Sequence, residues 1–104
     1  MAAPTTPREI RQSADFAHWL NTLADVQARA RIDIRIRRLA LGNAGDAKSL
    51  GAGLSELRID YGPGYRVYYA EVGPTLVILL AGGDKRRQSA DIARARAQLA
   101  AWKE

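Results

Sequence analysis

The chain has 104 residues, 47% of them hydrophobic, which suits one domain with its own core. It has no cysteine, which excludes a disulfide framework and a zinc–thiolate site, and its single histidine, His18, excludes by count a paired-histidine nuclease centre or a multi-histidine metal site. A net charge of +5 favours nucleic acid, an acidic protein or an anionic membrane surface as partner, and no apolar run approaches the ~20 residues that span a bilayer.

Residues 1–7, MAAPTTP, are small and carry two prolines, which predicts a frayed tail ahead of a single domain at 8–104. The start lacks the apolar core of a secretory signal, so a cytoplasmic location is expected. REIRQ predicts a short edge strand anchored by Ile10. Ser13 is placed to cap a helix, with Asp15 in its first turn. Phe16, Trp19, Leu20 and Leu23 then recur at i, i+3, i+4 and i+7 as a core stripe. His18 falls off that stripe and is expected at the surface.

Asp25 predicts the cap of a second helix, although residues 31–37, RIDIRIR, alternate as a strand does. The flanks decide for a helix. Residues 24–41 contain no Gly or Pro, are rich in Ala, Arg and Leu, and stop at Gly42-Asn43. Ile32, Ile36 and Leu39 supply its core side. Ile34 and Leu41 lie near the opposite side, open to a second contact or a partner. With almost no linker, the two helices predict an αα-hairpin.

Residues 42–53, GNAGDAKSLGAG, read as a loop. SELRID predicts a strand with Leu57 and Ile59 on one face and Glu56, Arg58 and Asp60 on the other. After the YGPG turn, Tyr65, Val67 and Tyr69 share one face, and Arg66, Tyr68 and Ala70 the other. TLVILLA, residues 75–81, predicts a central strand covered on both faces, completing an antiparallel meander. GGDKRRQ ends the sheet. Ser89 is the expected cap of a last helix, whose stripe is Ile92, Ala95, Leu99 and Trp102, with Arg94 and Arg96 off it. The fold class expected from this order is α+β.

GLSELRIDYGPGYRVYY followed by TLVILLAGGDKRRQSADIARA resembles the RelE/HigB-type toxins of bacterial type II toxin–antitoxin systems, in their addiction module killer protein branch. The resemblance covers roughly residues 8–100. It implies a RelE-like fold: an N-terminal αα-hairpin on a small twisted antiparallel sheet, with a C-terminal helix. It implies an mRNA endonuclease acting on the ribosome without metal or other cofactor, through attack of a 2′-hydroxyl on the adjacent phosphate to leave a 2′,3′-cyclic phosphate. The partners it implies are the ribosome with its translated mRNA and a cognate antitoxin, commonly a helix-turn-helix protein, which would carry any contact with operator DNA. No membrane partner is implied.

Such cleavage needs a base for the 2′-hydroxyl, a cation for the transition state and an acid for the leaving 5′-oxygen. Arginine suits the middle task, because its planar fork matches phosphate oxygens. By resemblance, the GYR arginine corresponds to Arg66 and the basic residue after the last strand to Lys85, where the family often has Arg. Arg58 corresponds approximately to a strand-borne basic residue before the turn. Relatives place a Tyr or His in the C-terminal segment, where this chain offers Ser89 and Asp91. Tyr61 is the nearest phenol, its ordinary pKa near ~10 needing to fall for base work. Lys85, Asp84 and Asp60 are further candidates, so the base stays open. Arg86 and Arg87 are candidate RNA contacts, and Tyr68 a candidate platform for stacking a base. Plainer readings pair Arg58 with Glu56 on an exposed strand, pair Arg66 with Asp60, and make Tyr61 a packing lid. Two other functions stay in view: a ParE-like toxin of the same superfamily inhibiting DNA gyrase, and a degenerate, antitoxin-binding protein.

Overall fold

A computed structural model describes residues 7–102. Most of the expected tail, residues 1–6, lies outside the described residues, as do 103–104. Strand β1 (Glu9–Gln12) leads into helix α1 (Ala14–Thr22), followed by helix α2 (Val26–Ala40). Four strands come next: β2 (Ala47–Gly51), β3 (Leu54–Ile59), β4 (Tyr65–Val72) and β5 (Leu76–Asp84). A single 3-10 turn at Lys85–Arg87 then opens helix α3 (Gln88–Ala101). The protein is thus α+β.

Both N-terminal helices begin where their caps predict. Ser13 Oγ accepts from the Phe16 N–H at 3.0 Å and donates to the Leu80 carbonyl at 2.7 Å, which ties the start of α1 to β5. Asp25 Oδ1 accepts from the Ala28 N–H at 3.1 Å. Helix composition overrides the alternation of RIDIRIR, and α2 buries Ala28, Ile32, Ile36 and Leu39.

The strand order is β1-β5-β4-β3-β2. Strands β2 to β5 pair antiparallel, but β1 runs parallel to β5, with Ile10 opposite Val77, so the sheet is mixed rather than purely antiparallel. The expected loop at 42–53 is corrected too, because residues 47–51 form β2 against β3. Its only large apolar residue is Leu50. It is a strand by its backbone pairing with β3, from Ala47 opposite Leu57 to Gly51 opposite Leu54, and it forms an edge of the sheet.

Helices α1 and α2 cover one face of the sheet. There Phe16, Ile32 and Leu39 pack on Leu57, Val67 and Leu79. Helix α3 covers the other face, where Ala95 packs with Leu54, Tyr68, Ile78 and Leu80, flanked by Ile92, Leu99 and Trp102. Each fully buried Leu or Ile side chain contributes about 1.5–3 kcal/mol. Strand β5 is covered on both sides as predicted but runs three residues further, through Gly82 and Gly83 to Asp84. A Cβ on Gly82 would overlap the Trp19 ring, and one on Gly83 would overlap the Asp91 carboxylate, so both helices approach β5 where it lacks side chains. Ser89 does not cap α3. The chain turns earlier, with the Asp84 carboxylate accepting from the Arg86 N–H at 2.9 Å. No helix among the described residues is long and apolar enough to cross a membrane.

Candidate functional site

The register of β3 against β4 sets Arg58 directly opposite Arg66. Like charges in that position repel, and a sheet does not hold them without compensation. Compensation comes from Glu56, two residues before Arg58 and therefore on the same face. Glu56 is only 1% exposed. Its Oε1 lies 2.9 Å from Arg66 Nε and 3.6 Å from Arg58 Nε, while its Oε2 accepts from Gln88 Nε2 of α3 at 2.9 Å. Neither buried Nε has an aligned hydrogen-bond acceptor, so even the 2.9 Å approach is a contact of charges. Arg66 also donates from Nη1 to the Tyr65 carbonyl at 3.2 Å. Its side chain is 13% exposed and that of Arg58 37%.

Above this group opens a cleft of about 360 Å³, lined by Arg58, Arg66 and Lys85, by the Gly62–Gly64 turn, and by Asp46 and Asp60. Gly64 has φ +84°, and a side chain there would stand 3.5 Å from Arg66 Nη1 and 3.7 Å from Lys85 Cβ. A glycine at this position thus serves both the turn and the open mouth. Three cations meet two lining carboxylates, with Glu56 behind them. Asp46 and Asp60 are exposed, and water screens their charge more than it screens the sunken arginines. Among the described residues, Arg58 and Lys85 donate no side-chain hydrogen bond. The cleft therefore holds cations with unused donors, the chemistry that binds a phosphate.

The structure brings Arg58, Arg66 and Lys85 together and sets the other expected site residues elsewhere. Tyr61 turns to the α2 side, where Arg31 Cζ lies 4.6 Å from its ring centroid. It packs there and does not line the cleft. Tyr68 is fully buried beneath α3, so the expected stacking platform is corrected: its ring has no open face. Burial, then Glu56 and Asp91, push its phenol well above the ordinary value, against the pull of Arg66. Arg86 is exposed and pairs with Asp84, Nη2 to Oδ2, at 3.0 Å. Asp84 is held below the ordinary carboxyl range chiefly by that side-chain bond. Arg66 pairs with Glu56 rather than Asp60, and Glu56 is buried rather than exposed.

Arg87 lines a second cleft of about 300 Å³ between α1 and α3, with His18, Trp19, Asp91 and Arg94. His18 is at the surface, as expected. Asp91 is buried, and its carboxyl is raised by that burial, opposed by Arg94 and Arg87. Arg94 Nη2 donates to Asp91 Oδ1 at 3.0 Å, whereas the buried Oδ2 has no hydrogen-bond partner. Among the described residues, no three His, Cys, Asp or Glu side chains gather as metal ligands would.

Sequence reasoning paired Glu56 with Arg58 but missed its burial and its contact with Arg66, and it missed Gln88 altogether. A usable signal was present for Glu56, since alternation already set it on the face of Arg58. Nothing local announced Gln88, which reaches Glu56 only because α3 folds back over the sheet.

No family model and no solved structure matches the chain. It is 49% identical over 88 residues to a protein of Haemophilus influenzae described as an uncharacterized protein, a match spanning 85% of this chain and 89% of that one. The chain belongs to the same family as that Haemophilus protein.

Proposed function

We propose that this chain is a RelE/HigB-type toxin with a RelE-like fold, acting in the cytoplasm as a ribosome-dependent mRNA endonuclease and neutralised by an antitoxin of the helix-turn-helix kind. The observation that supports this reading best is the cross-strand pair Arg58 and Arg66 beside Lys85, around a cleft wide enough for a phosphate. In the proposed reaction the 2′-hydroxyl attacks the adjacent phosphorus. The new P–O2′ bond forms as the P–O5′ bond breaks, giving a 2′,3′-cyclic phosphate and a 5′-hydroxyl. Arg66 and Arg58 neutralise the charge that builds on the phosphate oxygens. Proton transfer falls to the cleft's own titratable groups, Lys85, Asp60 and Asp46, since no phenol or imidazole lines it.

That same lack favours a second reading, a ParE-like gyrase inhibitor or an antitoxin-binding protein without catalysis. Primer extension on mRNA in a reconstituted translation reaction separates the two. The nuclease reading predicts cuts that need ribosomes and vanish with folded Arg66→Ala. Intact mRNA with folded wild-type protein would sink it, and gyrase-dependent DNA damage on induction would install the gyrase alternative.

A further inference from the structure

Glu56 and the two arginines explain one another only in part. A carboxylate this deeply buried needs cationic or hydrogen-bonding partners, and two guanidiniums set opposite each other need an anion between them. One Glu56 oxygen is taken by Gln88. The other serves both arginines unequally, at 2.9 Å from Arg66 and 3.6 Å from Arg58. One carboxylate thus faces two cations, and the less engaged of them, Arg58, is also the more exposed.

We propose that Glu56, braced by Gln88, is the positioning residue of this cleft: it fixes Arg66 and leaves Arg58 to close on an incoming phosphate. This rests on the phosphate reading of the cleft. Glu56 touches no substrate. It holds the Nε edge of Arg66 from behind, so that the outer nitrogens are what the cleft can offer. The pair accordingly divides into an anchored arginine that orients the phosphate and a looser one that completes its neutralisation.

The division has a consequence that a merely structural carboxylate lacks. Glu56→Gln keeps the size of the side chain and an acceptor for Gln88 but removes the charge between the arginines. The variant should melt about 5 °C or more below wild type in anion-poor buffer. Inorganic phosphate should restore most of that loss and shift wild type less, because the anion then supplies the charge Glu56 gave. RNA should bind Glu56→Gln at least as tightly while kcat falls about tenfold or more, since the fork is held but no longer aimed. Equal phosphate shifts in the two proteins, or none in either, would overturn the proposal.

Should Glu56→Gln fail to fold, Gln88→Ala tests the same point, because it frees Glu56 without removing its charge. The Arg66 Nε–H should then exchange with water faster than in wild type, and an unchanged rate overturns the bracing role. Failure of the two readings looks different. If no RNA is cut but Glu56→Gln shows the larger phosphate response, the nuclease assignment falls and the positioning role stands. If RNA is cut but the phosphate responses are equal, the reverse holds.

Discussion

The two faces of the sheet are built to different rules. Under helices α1 and α2 the buried side chains are mostly apolar, Phe16, Ile32, Leu39, Leu57, Val67 and Leu79 among them, joined by the phenols of Tyr65 and Tyr69. Under and beside α3, the same sheet carries Glu56, Arg58, Arg66 and Tyr68, with Asp91 pressed onto Gly83. Among the described residues, Arg58 Nε, Arg66 Nε, Tyr68 Oη, Asp91 Oδ2 and Trp102 Nε1 are buried there without a hydrogen-bond partner, against Arg29 Nε alone on α2. An unpaired buried polar group costs about 1–3 kcal/mol, so a face that keeps several is not arranged for stability alone. The first face holds the domain together; the second gives up stability for charged groups in fixed positions.

The sharpest break in that comparison is made on the more apolar face. Phe16 is fully buried, and Phe16→Ala should lower stability by about 3–5 kcal/mol in urea denaturation, enough to unfold a marginal domain. A loss below 1 kcal/mol would mean that the packing of α1 on the sheet is not a main source of stability.

A smaller, pH-dependent effect is expected at Asp91. Burial raises its folded-state pKa above the ordinary 3.8. Between those two values the folded chain binds a proton that the unfolded chain does not, so stability falls as pH rises through the window. Asp84 on the same corner has the opposite sign: its lowered pKa adds stability above the unfolded value that is lost as pH falls through the folded one. Asp91→Asn should remove the first contribution and leave the second. Urea unfolding from about pH 3 to 7 would then show stability rising with pH more steeply in the variant than in wild type. Parallel curves would deny Asp91 its share.

The smallest effect is the most pointed. Tyr68→Phe removes a buried hydroxyl that has no partner, so it should change stability by no more than about 0.5 kcal/mol or raise it slightly. A clear destabilisation would show that the hydroxyl is hydrogen-bonded in solution.

Local signals made most of the fold legible. Ser13 and Asp25 announced their helices, and three strands followed from alternation or from a continuous apolar run. What escaped was set by tertiary contact. AKSLG forms β2 through its backbone pairing with β3, although its own residues argue weakly for a strand. Asp84 took the turn expected of Ser89 because β5 runs on through two glycines that let Trp19 and Asp91 close over it. At the site, strand periodicity set Arg58 and Arg66 on one face, and register made them opposite neighbours. Periodicity also set Tyr68 on that face, yet could not say that α3 would bury it. Nor could it say that Tyr61, in a turn, would swing to Arg31 on the α2 side.

The most direct test asks where a phosphate lands. Arginine Nε–H resonances can be followed by NMR while a short single-stranded RNA is titrated into the folded protein. If the cleft is the phosphate site, Arg58 and Arg66 shift first and together, ahead of Arg31 and Arg38 on α2. Shifts confined to the α2 arginines, with Arg58 and Arg66 unmoved at saturation, would contradict it and move the binding surface to the opposite side of the sheet.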